Sequence, residues 1–369
     1  MATPPWMIYG AYGFTGRLMA AEAVRRGHRP ILAGRSEARL RELGISLGLD
    51  WKVFGLDNPR EVERALTGID IVLNSAGPFD TTTEPLLDAC ITMGTSYTDI
   101  SGELDVYEQT FAREDEVRHA GITVVTGIGF DVVPTDCLAV RAAREIGKPT
   151  SLEIAVGTSG GLSPGTMRAT FRMAGQGGRE RRDGIIVEVP VAETVQRIRL
   201  PQRERGMVSV PLGDIASAFR SSGVRNITTY LIVPASLRAL AAGASKVGGW
   251  IASIAPVQRA VDGLIARVAK GPDDEALASS RTESWVRASD GVETIEYYLE
   301  APGGYTYTQV SAVRAIERLL RERIVGVFTP EQALGVDFIN EIPQSKLWRR
   351  RSGSGWIVVS ETHGTVESG

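Results

Sequence analysis

Cysteine is close to absent from this chain. Cys90 and Cys137 are the only two in 369 residues, and both fall inside apolar-looking segments. That excludes a disulfide framework and a thiolate metal site, and it fits a reducing, cytoplasmic setting. Lysine is scarce as well: it occurs at 52, 148, 246, 270 and 346, never with a tyrosine four residues before it. A Tyr-x-x-x-Lys proton-transfer pair is therefore missing. His28, His119 and His363 are scattered over two helix ends and the tail, so no histidine metal site or nucleophilic triad is expected, and they read as surface residues. An excess of basic charge is lacking too, since the net charge is −3, which gives no electrostatic footprint for nucleic acid. Long apolar runs are also absent. Val247–Val257, between Lys246 and Arg259 and broken by Pro256, falls short of the roughly 20 residues a bilayer requires. Met1–Pro5 has no basic leader region, and weak association with a membrane surface stays open.

What is present suits an ordinary globular protein: 43% hydrophobic and 23% charged residues, in a chain longer than one core usually holds. Up to about residue 150, short apolar runs alternate with helical patterns, as βαβ units do. Strands are predicted at Trp6–Tyr9, Pro30–Ala33, Trp51–Leu56, Asp70–Asn74, Ser96–Ile100 and Ile122–Thr126. Helices are predicted between them, Leu104–Ala120 being one. This is an α/β pattern with a doubly wound parallel sheet over 1–150. From Ser151 to about 308 the strand candidates suggest a second α/β domain with a mixed or antiparallel sheet. Gly157–Gly165 and Arg172–Gly184 read there as loops. Helical patterns over Gln309–Arg323 and Pro330–Ile339, within 309–347, are expected to pack back on the first domain. Arg349–Gly355 reads as a linker opening a tail over 348–369.

The strongest motif follows the first strand directly. Gly10-Ala11-Tyr12-Gly13-Phe14-Thr15-Gly16 lies between Trp6–Tyr9 and the helical Arg17–Arg26, a GxxGxxG at a strand-to-helix turn. Glycines there make the tight turn, admit a pyrophosphate to the backbone and let helix and strand pack closely. The free N–H groups and positive dipole end of the helix complete a Rossmann dinucleotide site. After the second strand, NAD enzymes carry an acid for the ribose hydroxyls. Here the residues are Gly34-Arg35-Ser36, which favour the 2′-phosphate of NADP, with Ser36 as an added donor; a solvated helix-start arginine is the plain alternative. Asp57 is placed either to bond the adenine amino group or to start a helix. Ser75, Ala76, Gly77 and Pro78 end the fourth strand, where small residues let the nicotinamide ribose approach, with Phe79 as a wall. Short-chain dehydrogenases share the glycine spacing but need the Tyr-x-x-x-Lys pair that is lacking.

Tyr97, Asp99, Ser101-Gly102-Glu103 and Gly127–Asp136 form a polar cluster at predicted strand ends. Its acids suit either proton transfer or helix capping. With Gly10–Gly16, Leu32–Arg35, Gly77-Pro78-Phe79, Gly94–Glu103, Gly129–Asp136, Ser163-Pro164-Gly165-Thr166, Gly304–Thr308 and Gly326–Pro330, the chain resembles the saccharopine dehydrogenase-like oxidoreductases, and among them the trans-acting enoyl reductase branch. The resemblance implies NADP and hydride transfer to a polarised double bond. That bond is C=C of an enoyl, polyketide or lipid-type substrate, or C=N of an amino-acid imine. By position it places Asp99, Asp131 and Asp136 at the nicotinamide end, with Thr166 reaching in from the second domain. Ser163-Pro164 stands where the family more often has paired glycines. The substrate is then a small or lipid-like molecule, free or carrier-bound, and a homodimer is an option. A non-catalytic NADP-binding protein docked on a membrane or synthase is the reading from another class.

Overall fold

The computed structural model describes residues 5–159, 177–190, 192–233 and 273–364. Thr166, Val247–Val257, Leu264–Val268 and most of the loop around Ser163-Pro164-Gly165 therefore lie outside the described residues. The chain divides into two compact units, the first built from the chain up to Val133 plus Tyr305–Gly335, the second from Pro134–Gly304 plus the chain after Gly335. The division thus falls at the start of a helix and not near residue 150.

The first unit begins β1 (Trp6–Tyr9), α1 (Phe14–Arg25), β2 (Ile31–Gly34), α2 (Glu37–Leu47), β3 (Trp51–Val53) and α3 (Pro59–Leu66). It continues β4 (Ile71–Asn74), α4 (Phe79–Met93), β5 (Ser96–Asp99), α5 (Leu104–Ala112), α6 (Glu114–Ala120) and β6 (Thr123–Val125). The single helix expected over Leu104–Ala120 is broken at Arg113, which caps the end of α5 and the start of α6. All six strands pair in parallel. β1 and β4 are buried at every residue, the mark of strands covered on both faces, which is why they read as unbroken apolar runs.

Next come α7 (Val133–Ile146), β7 (Ser151–Thr158), β8 (Gly178–Arg182), β9 (Ile185–Val189), β10 (Val195–Arg199), β11 (Glu204–Ser209), α8 (Asp214–Ser222) and β12 (Ile227–Val233). After the undescribed stretch follow α9 (Asp274–Ser279), β13 (Arg281–Ser289) and β14 (Thr294–Pro302). The chain then re-enters the first unit with α10 (Gly304–Arg321), β15 (Gly326–Phe328) and α11 (Pro330–Leu334), and ends in the second with β16 (Lys346–Arg351) and β17 (Ile357–Glu361).

Among the described residues the first sheet has seven strands in the order β15-β6-β5-β4-β1-β2-β3. Reversal beside β1 creates the switch point where ligands meet such sheets. The seventh strand was not expected from the sequence. Gly326–Phe328 pairs with Thr123–Val125, and three residues are too few to show a period. α10 does pack within this unit: Glu317 takes Arg26 Nη2 at 2.5 Å and His28 Nε2 at 2.9 Å. His28 is accordingly half-buried and engaged, not a plain surface residue.

Among the described residues the second sheet has ten strands, with β7 and β12 parallel at its centre and antiparallel neighbours outward. Trp285, Tyr298 and Trp348 pack with Met207 and Tyr230 on one face. Two expectations fail here. Part of the loop expected over Arg172–Gly184 is strand β8, and the linker expected at Arg349–Gly355 begins inside β16. Lys346, Trp348 and Arg350 lie opposite Glu300, Tyr298 and Glu296, and Arg350 bonds Glu296 at 2.6 Å. An arginine run looks like solvated linker only until a strand of glutamates is found beside it.

Candidate functional site

The glycine turn has the shape a dinucleotide needs. Gly10 has φ +81°, and a Cβ there would fall 2.8 Å from the Ala76 nitrogen. A Cβ on Gly16 would fall 2.4 Å from the Gly10 carbonyl oxygen, so that glycine sets how closely α1 approaches the turn. Gly13 is the N-cap of α1 and the first turn carries no acidic residue. The amides of Phe14, Thr15 and Gly16 thus open a helix whose positive end is not neutralised by its own side chains.

At the end of β2, Arg35 is exposed, and Ser36 is the N-cap of α2 without a side-chain capping bond. The Tyr12 ring lies against Gly34, with the Arg39 guanidinium 5.6 Å from its centroid. Burial pushes the Tyr9 hydroxyl up to about 12, opposed by the nearby positive charge of Arg35 and reinforced by Tyr12 and Asp57. Tyr12, Arg35 and Asp57 thus all lie within electrostatic reach of Tyr9. Asp57 is exposed, and the N-cap of α3 is Asn58.

The loop after β4 is pinned from several sides. Ser75 gives its amide and hydroxyl to the Tyr9 carbonyl at 2.9 and 2.8 Å, and Gly77-Pro78 is a cis peptide. Phe79 and Asp80, opening α4, donate their amides to Glu103. From the far end of the chain, Tyr305 on α10 meets the Phe14 ring edge to face at 4.9 Å. Thr308 Oγ1 accepts from Phe130 N at 3.0 Å, and Ser311 Oγ donates to Ile128 O at 2.8 Å. These bonds hold the loop 127–131.

The three acids have separate surroundings. Asp99 is fully buried, and its Oδ1 accepts the amides of Ser101 at 3.0 Å and Gly127 at 2.8 Å. Its Oδ2 accepts the Tyr97 hydroxyl at 3.0 Å. Burial pushes the Asp99 carboxyl up to about 6, with Glu103 adding to the rise and those hydrogen bonds opposing it. Asp131 is exposed and packs on Gly102, where a Cβ would fall 3.0 Å from its own. Surrounding protein pushes its carboxyl up to about 6, and water reaches the group. Asp136 stands on α7. It lies in the second unit, fully buried, and its Oδ1 accepts the Ser221 hydroxyl at 2.6 Å.

Residues 6–125 match the family model described as saccharopine dehydrogenase NADP binding domain. The trans-acting enoyl reductase of Mycobacterium bovis is 34% identical to the chain over 144 residues, 35% of this chain and 33% of that protein. A putative trans-acting enoyl reductase of Mycobacterium tuberculosis is 32% identical over 187 residues, 45% and 43% of the two chains. The chain spans about a third of the length of the first of these relatives. The saccharopine dehydrogenase (L-Glu forming) of Saccharomyces cerevisiae superposes with a TM-score of 0.61, covering 92% of this chain and 96% of that one. At 14% identity the likeness is one of fold. The NADP-binding domain thus holds Gly10–Gly16, Arg35 and the loop after β4. Tyr305 and Thr308 join its unit from outside the matched stretch. Sequence reasoning placed Tyr97 in the polar cluster at the strand ends without its bond to Asn74, and gave Tyr305 no role of its own. For Tyr97 a signal existed: it stands two residues before Asp99 on a strand, hence on the same face.

Proposed function

We propose that this protein is a cytoplasmic NADPH-dependent reductase acting on a polarised C=C bond of an enoyl, polyketide or lipid-type substrate, free or carrier-bound. The observation that carries the cofactor half is Arg35, an exposed guanidinium where an NAD enzyme carries an acid, at the end of β2 in an NADP-binding domain. The enoyl half rests on the relatives' names. NADPH, when bound, supplies the hydride. Gly10, Gly13 and Gly16 admit the pyrophosphate, Arg35 and Ser36 hold the 2′-phosphate, and Phe14 with Tyr305 walls the nicotinamide side. Asp131 is assigned the proton: it is solvent-accessible, at the carboxyl edge of the sheet, and raised toward neutrality, as a general acid needs. Thr166, outside the described residues, stays a candidate on the resemblance alone. Asp99 and Asp136 lack the exposure to touch substrate.

Two measurements test this. NADPH binding should weaken roughly tenfold to a hundredfold in Arg35→Ala, the worth of a charge-assisted contact, with NADH binding unchanged. Equal or tighter NADH binding that ignores the substitution defeats the cofactor assignment. NADPH oxidation followed in parallel against enoyl thioesters and cyclic imines should favour the thioesters; turnover of the imines alone selects C=N reduction, and turnover of neither leaves a binding protein.

A further inference from the structure

Behind the loop after β4 lies a buried polar chain that reaches no ligand itself. Asn74, Tyr97 and Asp99 are each 0% exposed, and their hydrogen bonds run in one direction. Asn74 Oδ1 accepts the amide of Ala76 at 3.0 Å. Its Nδ2 lies 3.2 Å from Thr82 Oγ1 and 3.1 Å from the Tyr97 hydroxyl. Thr82 Oγ1 in turn donates to the Ala76 carbonyl at 2.7 Å. Both polar backbone groups of Ala76 therefore end on this chain.

We propose that Asn74 is a positioning residue for the nicotinamide half of the cofactor, turned into one orientation by Tyr97 and Asp99 and acting through Ala76. The proposal rests on the reading of this unit as an NADP site. An asparagine side chain can point either way, and only its partners decide. Tyr97 has a single proton and two acceptors in reach, Asp99 Oδ2 at 3.0 Å and Thr83 Oγ1 at 3.2 Å. Asp99 is an acceptor on every side, since Ser101 and Gly127 already give it their amides. The phenol proton goes to the carboxylate, the phenol oxygen is left to accept, and Asn74 must present Nδ2 to it. The carbonyl oxygen of Asn74 then faces Ala76.

Ala76 matters because it is the point at which the loop touches the glycine turn. A Cβ on Gly10 would be 2.8 Å from its nitrogen, so a small rotation of the Ala76 peptide displaces the backbone a cofactor must lie along. A fully satisfied buried network resists such rotation. Among the charged and titratable groups around the chain, Glu103 precedes α5 and raises Asp99. Tyr107 on α5 spends its hydroxyl on the Thr126 carbonyl.

The test compares whole cofactor with its adenosine half. NADPH and adenosine 2′,5′-bisphosphate are titrated into the full chain by calorimetry, for wild type, Asn74→Ala, Tyr97→Phe and Thr82→Val. The last removes only a half-buried hydroxyl and guards against a variant that does not fold. NADPH affinity should fall roughly tenfold in each, the worth of a lost buried hydrogen bond, while the bisphosphate stays within about twofold. Equal losses for both ligands would mean general loosening, and no loss for either would mean that Ala76 needs no anchor. Both overturn the proposal. A wild-type chain that binds neither ligand instead removes the NADP reading beneath it.

Discussion

Gly10 and Ala76 stand so close that a single methyl group would not fit between them: a Cβ on the glycine would lie 2.8 Å from the alanine nitrogen and 2.9 Å from its Cα. The turn after β1 and the loop after β4 are thereby fixed to each other at the carboxyl edge of the sheet. Gly10 also has φ +81°, where a non-glycine residue costs about 1–2 kcal/mol. Gly10→Ala should therefore weaken NADPH binding by more than about tenfold, measured by fluorescence titration. Unchanged affinity would show that the cofactor does not use this contact.

Asp99 gives the fold a pH dependence of defined sign. Its carboxyl is pushed up to about 6 by burial, against about 3.9 in an unfolded chain. The folded state thus takes up this proton first on acidification. The stability it contributes is complete below the unfolded value and lost as pH rises through about 6, on the order of 3 kcal/mol for a gap of about two units. Asp99→Asn does not titrate, so relative to wild type it should gain stability between about pH 4 and 7. Urea unfolding at both ends of that window checks this, and a wild-type-to-variant difference independent of pH contradicts it.

Trp348 should bear on the stability of the second unit, although it opens the segment expected as a tail. It is 5% exposed, stacks on Tyr298 at 5.2 Å and shares a core with Trp285. Trp348→Ala is expected to cost about 3–5 kcal/mol, seen as a lower midpoint for this unit in chemical unfolding. A loss below about 0.5 kcal/mol, the scale of ordinary surface substitutions, would return the segment to the status of a tail.

Legibility in the sequence followed the range of the interactions. The strand, turn and helix around GxxGxxG could be read because each is set by neighbours in the chain. The first six strands were visible because both faces of that sheet are buried, which leaves apolar runs bounded by turns. Asp99, Asp131 and Asp136 looked alike in the sequence, three acids near strand ends. Their environments separated them: Asp99 received two amides and a phenol, Asp131 kept its water, and Asp136, within the second unit, met Ser221.

By itself, then, the sequence determined the glycine turn between a strand and a helix and the alternation that builds the first sheet, both of them consequences of local backbone geometry and side-chain period. Only the tertiary structure decided that Gly326–Phe328 is a seventh strand, that Arg349–Arg351 belong to a strand and not to a linker, and which acid faces solvent. Those outcomes depend on partners far along the chain, such as Thr123 for Gly326 and Glu296 for Arg350, and burial and hydrogen-bond partners set what an ionisable group can do.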